Sequence, residues 1–179
     1  MIFRRYLQLI SMLLAVLSSG NAVAGSSTEY DIKAAFLYNF AKFVQWKIGD
    51  SDHENMLHIC ILGEDPFGES LDALAGKQAQ GKTLKIRRLG DIGERTNCEM
   101  LFISSSQATR LKSVLDTIAK EQGLLSISDI DDFASSGGII ELQLVDNKIR
   151  FIVNMASAKE ANISLSSKLL RLGQIINGE

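Results

Sequence analysis

The chain has 179 residues, of which 46% are hydrophobic and 22% are charged, and its formal net charge is −2. This length and apolar content suffice for one domain with a full core. The near balance of charges and the lack of a basic block argue against a nucleic-acid-binding protein. A single proline, with no repeats or low-complexity segments, argues against a multi-module architecture.

Residues 1–24 are typical of a secretory signal peptide. Arg4 and Arg5 form a positive n-region, Leu7 to Leu17 form a short apolar region, and an A-x-A sequence ends at Ala24. We predict cleavage between Ala24 and Gly25, which leaves a mature chain of 155 residues with 17 basic and 21 acidic side chains. An uncleaved membrane anchor is the alternative, but the apolar run is short for a span. No later stretch is long and apolar enough to cross a membrane.

The stretch YDIKAAFLYNFAKFVQW, from Tyr30 to Trp46, holds six of the twelve aromatic residues of the chain. Thr28 and Asp31 form a variant of the helix-starting capping box, so the stretch predicts a helix that ends near Lys47. Apolar residues recur at helical spacing on two faces, which is typical of a buried helix. One face holds Tyr30, Ala34, Leu37, Tyr38, Ala41 and Val44, and the other holds Ile32, Ala35, Phe36, Phe40 and Phe43. The residues expected to face water are Asp31, Lys33, Asn39, Lys42 and Gln45.

The sequence allows two interpretations of this aromatic helix. In the first it is a core helix of a compact domain. In the second, part of its aromatic face is exposed and contacts a partner or a dimer mate, because aromatic side chains dominate binding energy at interfaces. The residues predicted to make that contact are Phe36, Phe40, Phe43 and Trp46.

The rest of the chain alternates short β-rich runs with helical patterns, which predicts an α/β three-layer domain with a mixed, mostly parallel sheet. The predicted strands are Leu57 to Leu62, Thr83 to Leu89, Met100 to Ile103 and Leu124 to Ser128. Two further runs, Ile139 to Val145 and Lys148 to Asn154, flank Asp146-Asn147 and predict a hairpin. A helix is predicted over residues 107–122, and a C-terminal helix is predicted from the cap Ser166 to Asn177, with Leu169, Leu172 and Ile176 inward.

The turn that follows the first long strand is the predicted ligand cleft. Asp65 has the properties of an N-cap and Pro66 suits a first helical position, with Phe67, Leu71 and Leu74 on one helical face. Doubly wound folds bind ligands at the carboxyl ends of strands. A small ligand is therefore the alternative hypothesis for this protein, at Gly63, Asp65, Phe67 and Gly68.

Motifs for catalysis or metal binding are weak. No GxGxxG, P-loop or GxSxG motif is present. His53 and His58 are five residues apart, in a loop and a predicted strand, and the further Cys and His residues of a zinc set are lacking. The cluster of Asp129, Asp131 and Asp132 lacks the glycine and distal Glu of a calcium loop, so a solvated loop is expected. We therefore expect no enzyme activity, no metal and no cofactor.

Cys60 and Cys98 are the two cysteines of the chain. Exported proteins form disulfides in their oxidising compartment, so the pair invites one bond if the first and third strands are neighbours. Two separate buried thiols are the alternative, because Cys also packs as a small hydrophobe.

Four segments, in order over the mature chain, resemble the YfiR-like family. They are KAAFLYNFAKFVQW from Lys33, CILGEDPFG from Cys60, GGIIELQLVDNKIRFIVN from Gly137 and ISLSSKLLRLGQI from Ile163. The resemblance implies one periplasmic α/β domain over residues 25–179, without a catalytic site. It also implies a repressor that binds the periplasmic sensor domain of an inner-membrane diguanylate cyclase, limits cyclic-di-GMP and biofilm formation, and can form a homodimer.

The sequence departs from the family pattern in two places. Lys47 follows Trp46 where many members have Pro. The region from Gly137 to Asn154 lacks the second cysteine pair of the redox-responsive repressor, so Cys60 and Cys98 match only the other pair. The resemblance therefore supports a Cys60–Cys98 bond, whether structural or redox-sensing, but gives no residues for a redox switch in the hairpin.

Overall fold

The computed structural model describes residues 25–46, 55–95 and 97–177. The predicted signal peptide, its cleavage residue Ala24, Lys47 and the loop with His53 lie outside these ranges. Within them, no helix is long and apolar enough to cross a membrane.

One mixed sheet of eight strands forms the centre of the described fold. The strands are β2 (Met56–Leu62), β3 (Gln78–Ala79), β4 (Lys82–Leu89), β5 (Met100–Ile103), β6 (Leu125–Ser128), β7 (Ile140–Val145), β8 (Lys148–Asn154) and β10 (Gln174–Ile176). Their order across the sheet is β10-β8-β7-β6-β5-β2-β4-β3. The five strands from β7 to β4 are parallel, whereas β3 and β8 run antiparallel to β4 and β7. The predicted α/β fold with a mixed, mostly parallel sheet is confirmed.

Helices cover both faces of the sheet, which explains why its central strands are apolar on both sides. The long helix α1 (Gly25–Phe43) and the short helix α2 (Glu69–Asp72) pack on one face, over a core that includes Leu57, Ile59 and Phe102. Helix α3 (Leu111–Ile118) packs on the other face, over Cys60, Leu62 and Leu101. The predicted three layers are therefore present.

Helix α1 differs from its prediction at both ends. It begins at Gly25, before the predicted capping box at Thr28, and it ends at Phe43 rather than near Lys47. The next three residues form strand β1 (Val44–Trp46), which pairs antiparallel with β9 (Ile163–Leu165). The helix stops early because the backbone of Val44 to Trp46 forms strand hydrogen bonds with β9, a segment more than a hundred residues away in the chain.

The helix predicted after the turn and the helix predicted over residues 107–122 are also shorter than expected. After the turn, α2 begins at Glu69 with Gly68 as its N-cap, so Asp65 is not the cap. The helix predicted over 107–122 is a 3-10 turn (Ser105–Arg110) followed by α3.

The predicted C-terminal helix is wrong beyond its first turn. Ser166 caps a helix as expected, but that helix, α5 (Ser167–Leu170), has only four residues and gives way to β10. Leu172 was expected to face inward and is 75% exposed. A helix α4 (Met155–Glu160) that was not predicted follows β8.

The hairpin of β7 and β8 agrees with its prediction. Val145 and Lys148 pair across the turn, and Asp146 and Asn147 have φ angles of 50° and 58°. Asp and Asn tolerate this left-handed conformation, which a two-residue hairpin turn requires. The local turn chemistry therefore sets the register of the whole hairpin.

Gly173 allows strand β10 to approach β8 closely. A Cβ atom added at Gly173 would lie 2.3 Å from Cε2 of Phe151. We expect Gly173→Ala to lower the free energy of unfolding by about 1–3 kcal/mol, as overpacking of a core does. Urea denaturation measures the effect, with Gly90→Ala as the control, because its Cβ would meet nothing closer than 3.8 Å. Equal stability of both variants would contradict this packing.

Candidate functional site

The amino-terminal half of α1 lies at the carboxyl edge of the parallel sheet. Lys33 on α1 is buried, with its side chain only 4% exposed. Its Nζ atom lies 2.6 Å from Oδ2 of Asp129, the residue directly after β6, and 2.5 Å from Oε1 of Glu29. The predictions that Lys33 faces water and that Asp129 belongs to a solvated loop are therefore wrong.

Tyr30 completes this group, which we call the edge cluster (Glu29, Tyr30, Lys33 and Asp129). Its hydroxyl donates a hydrogen bond of 3.0 Å to Oδ2 of Asp129. Burial, and then the negative charge of Asp129, raise the pKa of Tyr30, so the phenol stays protonated and acts as a donor. The ring also packs edge-to-face on Phe67, with centroids 5.4 Å apart.

The edge cluster fastens α1 to the end of β6. A buried, charged lysine is stabilised when carboxylates pair with it, and two pair with Lys33. The second oxygen of Asp129, Oδ1, is buried and has no hydrogen-bond partner within the described residues. Among those residues, no group of three or more His, Cys, Asp or Glu side chains is arranged to hold a metal ion.

Three of the four residues of the predicted ligand cleft, Gly63, Asp65 and Phe67, are occupied by contacts within the chain. Phe67 is buried and stacks edge-to-face on Phe102, with centroids 4.7 Å apart. Asp65 accepts a hydrogen bond from the backbone N–H of Phe67 and pairs with Arg88 at 2.7 Å. A Cβ at Gly63 would lie 2.4 Å from Oγ of Ser106, while Gly68 has open space around it. The turn is thus packed against side chains from other parts of the chain.

The four aromatics predicted to contact a partner have different environments. Phe40 is fully buried, so it belongs to the core and cannot be an exposed contact. Phe36 and Phe40 both pack on Phe151 of β8, with ring centroids 5.7 and 5.5 Å from that of Phe151. Strand β8 therefore covers this face of the helix. Phe43 and Trp46 are half-buried.

The structure joins Cys60 to Cys98 by a disulfide, with Cα atoms 6.0 Å apart. Cys60 lies in β2 and Cys98 lies just before β5, its neighbour in the sheet. The next residue, Glu99, accepts a hydrogen bond of 3.3 Å at its carbonyl oxygen from Nε1 of Trp46. Its carboxylate accepts one of 2.7 Å from the backbone N–H of His58. The bond therefore lies beside a junction of three strands.

The two edges of the sheet are protected to different degrees. At the β3 edge, the Tyr38 hydroxyl donates to the carbonyl of Gln78, and Gln80 donates to the carbonyls of Ala41 and Val44. At the other edge, no described strand pairs with the outer side of β10. An uncovered strand presents free backbone N–H and C=O groups to another chain.

Apolar and basic side chains collect around this uncovered strand. Four of the five large hydrophobic residues that are exposed in the described chain lie there or at the adjacent hairpin end: Leu144, Val145, Leu172 and Ile175. Four exposed basic residues accompany them: Lys148, Arg150, Lys168 and Arg171. We call these eight residues and the outer side of β10 the outer edge.

The sequence contained a signal for the outer edge that the helical interpretation obscured. The segment Leu169 to Ile176 has apolar residues that fit a helix, but Gly173 interrupts them and two consecutive isoleucines follow. Gly disfavours a helix interior, and β-branched residues favour a strand. The edge cluster had a weaker signal, namely that Glu29 and Lys33 have i,i+4 spacing.

The YfiR/HmsC-like family model matches residues 30–174, which is most of the chain. The chain belongs to the YfiR/HmsC-like family. Membership supports a periplasmic regulator of cyclic-di-GMP signalling rather than an enzyme, and it implies interaction with the periplasmic domain of a signalling protein. No curated protein matches the chain significantly.

Proposed function

We propose that the mature chain is a repressor that binds the periplasmic sensor domain of a membrane-anchored diguanylate cyclase and holds it inactive. In this proposal, residues 1–24 are a cleaved signal peptide and residues 25–179 form a single domain. The match to the YfiR/HmsC-like family over residues 30–174 is the observation that carries the proposal.

The mechanism is a population shift. A repressor that binds the inactive state of the sensor more tightly than the active state lowers the active fraction, by an amount set by the difference between the two affinities. The described fold suits such a rigid binding partner. One ion pair, between Lys33 and Asp129, fixes α1 to the sheet, and a disulfide fixes the approach to β5.

Deletion of the protein tests the proposal. In a strain that retains the cyclase, we expect cyclic-di-GMP and biofilm formation to rise, because the active state of the sensor is no longer disfavoured. Expression of the full-length chain should restore the low level, whereas a version lacking residues 1–24 should not, because it stays in the cytoplasm. An unchanged cyclic-di-GMP level after deletion would contradict repression.

A small-ligand binding protein remains the second proposal, with its site at Gly63, Asp65, Phe67 and Gly68. The observation in its favour is the position of this turn at the carboxyl end of β2 in a mostly parallel sheet. The packing of Phe67 and Asp65 disfavours it. A compound that raises the melting temperature of the isolated mature protein would support it.

A further inference from the structure

We propose that the outer edge is the docking surface, and that it receives an extended, acidic and apolar segment of the regulated membrane protein as an added strand on β10. This inference rests on the proposed function for the identity of the partner. Strand addition supplies main-chain hydrogen bonds from the uncovered strand, and side chains on either side of it supply specificity.

The two edges of the sheet differ in how they are protected. Natural sheets protect their edges against pairing with other chains by short strands and covering groups. Strand β3 has two residues and β10 has three, so both are short, but only β3 is also tied to α1, through Tyr38 and Gln80. The β10 edge lacks such a cover within the described residues and carries exposed apolar side chains instead.

The exposed apolar side chains at the β10 edge lie on the same face of the sheet as core residues. Ile175 aligns with Val153 of β8, so it points to the same face of the sheet as the core residue Phe151 and is nevertheless 47% exposed. Leu144 pairs with Ile149 on that same face and is 52% exposed. An added strand would extend the sheet beside Ile175 and bury its side chain. Burial of these apolar side chains would stabilise the complex, against the costs of association.

The basic charge of the outer edge indicates what kind of segment binds there. Residues 142–177 carry five basic and two acidic residues, whereas residues 25–141 carry twelve basic and eighteen acidic ones. The four basic residues of the outer edge make no ion pair with any described residue. A second copy would bring the same basic groups together, which like-charge repulsion disfavours. A strand with acidic and apolar residues would pair with the basic side chains of the outer edge and form hydrogen bonds with the uncovered backbone of β10.

Site-specific photo-cross-linking in intact cells tests the docking surface. A benzophenone amino acid at Gln174, which is exposed on β10, is compared with the same group at Lys112, which is exposed on α3. We expect an adduct from Gln174 alone, and peptide sequencing should place it in a periplasmic segment of an inner-membrane signalling protein with more Asp and Glu than Lys and Arg. An adduct with a second copy, an adduct with lipid only, or no adduct from Gln174 would overturn the proposal.

Charge reversal provides the matched control. Combined Arg150→Glu, Lys168→Glu and Arg171→Glu should lower the adduct yield by about tenfold, because complementary charges speed the encounter and hold the register. Combined Arg110→Glu, Lys112→Glu and Lys120→Glu, with the same charge change at exposed positions on or beside α3, should leave the yield unchanged. Both variants are first checked for an unchanged melting temperature. If the outer-edge variant lost stability, Leu172→Ser alone would replace it, with a lower yield again expected.

The outcomes separate this inference from the proposed function. An adduct between Gln174 and an acidic segment of a membrane protein, together with unchanged cyclic-di-GMP in the deletion strain, would support the docking surface and contradict the repressor role. Raised cyclic-di-GMP in the deletion strain, together with no adduct at Gln174, would support the repressor role and contradict this docking surface.

Discussion

Replacing Asp129 by alanine should lower the free energy of unfolding by about 3 kcal/mol, measured by urea denaturation of the mature protein. The substitution removes the carboxylate 2.6 Å from Nζ of Lys33 and leaves a lysine side chain that is 4% exposed. An uncompensated buried charge costs more than the loss of one hydrogen bond. Glu29 stays close to Lys33, so the cost falls at the lower end of the range for broken buried pairs.

A second variant separates the charge from the packing. Asp129→Leu combined with Lys33→Met replaces the pair with apolar groups, and should recover most of the loss because buried ion pairs contribute little over hydrophobic substitutes. Lys112→Met is the control for an exposed pair, since Lys112 and Asp116 are 89% and 67% exposed, and should change stability by less than about 0.5 kcal/mol. A loss for Asp129→Ala as small as that of the control would show that Lys33 is not buried as described.

Reducing the Cys60–Cys98 bond should lower the free energy of unfolding by about 4 kcal/mol in the chain-entropy model. The bond spans 38 residues, and its removal restores conformational freedom to that loop in the unfolded chain. The comparison is urea denaturation of the mature protein with and without reductant. The double variant Cys60→Ala and Cys98→Ala is the control, and reductant should not change its stability.

Thiol titration checks the bond independently of stability. The denatured, unreduced protein should show no free thiol, and two free thiols would rule the bond out. The sole tryptophan, Trp46, donates to the carbonyl of Glu99, next to Cys98, so its fluorescence should also change on reduction. An unaltered emission spectrum would mean that the junction at Glu99 holds without the disulfide.

Features of the fold that depend on neighbouring residues could be predicted from the sequence. The hairpin at Asp146-Asn147 follows from two residues that adopt positive φ between two β-rich runs. The central strands follow from their continuous apolar runs, because strands buried on both faces need no alternation. These signals lie within a few residues of the structure that they specify.

Features that depend on distant partners could not be predicted. Helix α1 ends at Phe43 because Val44 to Trp46 pair with β9. Lys33 is buried because Asp129, 96 residues later, accepts its charge. Residues 174–176 are a strand because β8 offers an edge and Gly173 lets the backbone approach Phe151. In each case the local pattern allowed two structures, and a tertiary contact selected one.

The candidate site divides in the same way. Compartment and composition favoured a disulfide between Cys60 and Cys98 over two separate thiols, on the condition that their strands are neighbours, and the bond is present in the structure. The aromatic contact face was predicted from the helical pattern alone, which could not show that Phe151 covers Phe40. The outer edge could not be predicted, because the sequence analysis placed residues 174–176 in a helix, whereas in the structure they form strand β10 with one side uncovered.

The most direct test of the repressor proposal adds the purified mature protein to spheroplasts of the deletion strain, where the periplasmic face of the inner membrane is accessible. The measurement is the cyclic-di-GMP content before and after addition. We expect a fall to the wild-type level with the unaltered protein, and a much smaller fall with the variant carrying Arg150→Glu, Lys168→Glu and Arg171→Glu. A cyclic-di-GMP content that does not respond to the unaltered protein would contradict repression from the periplasmic side.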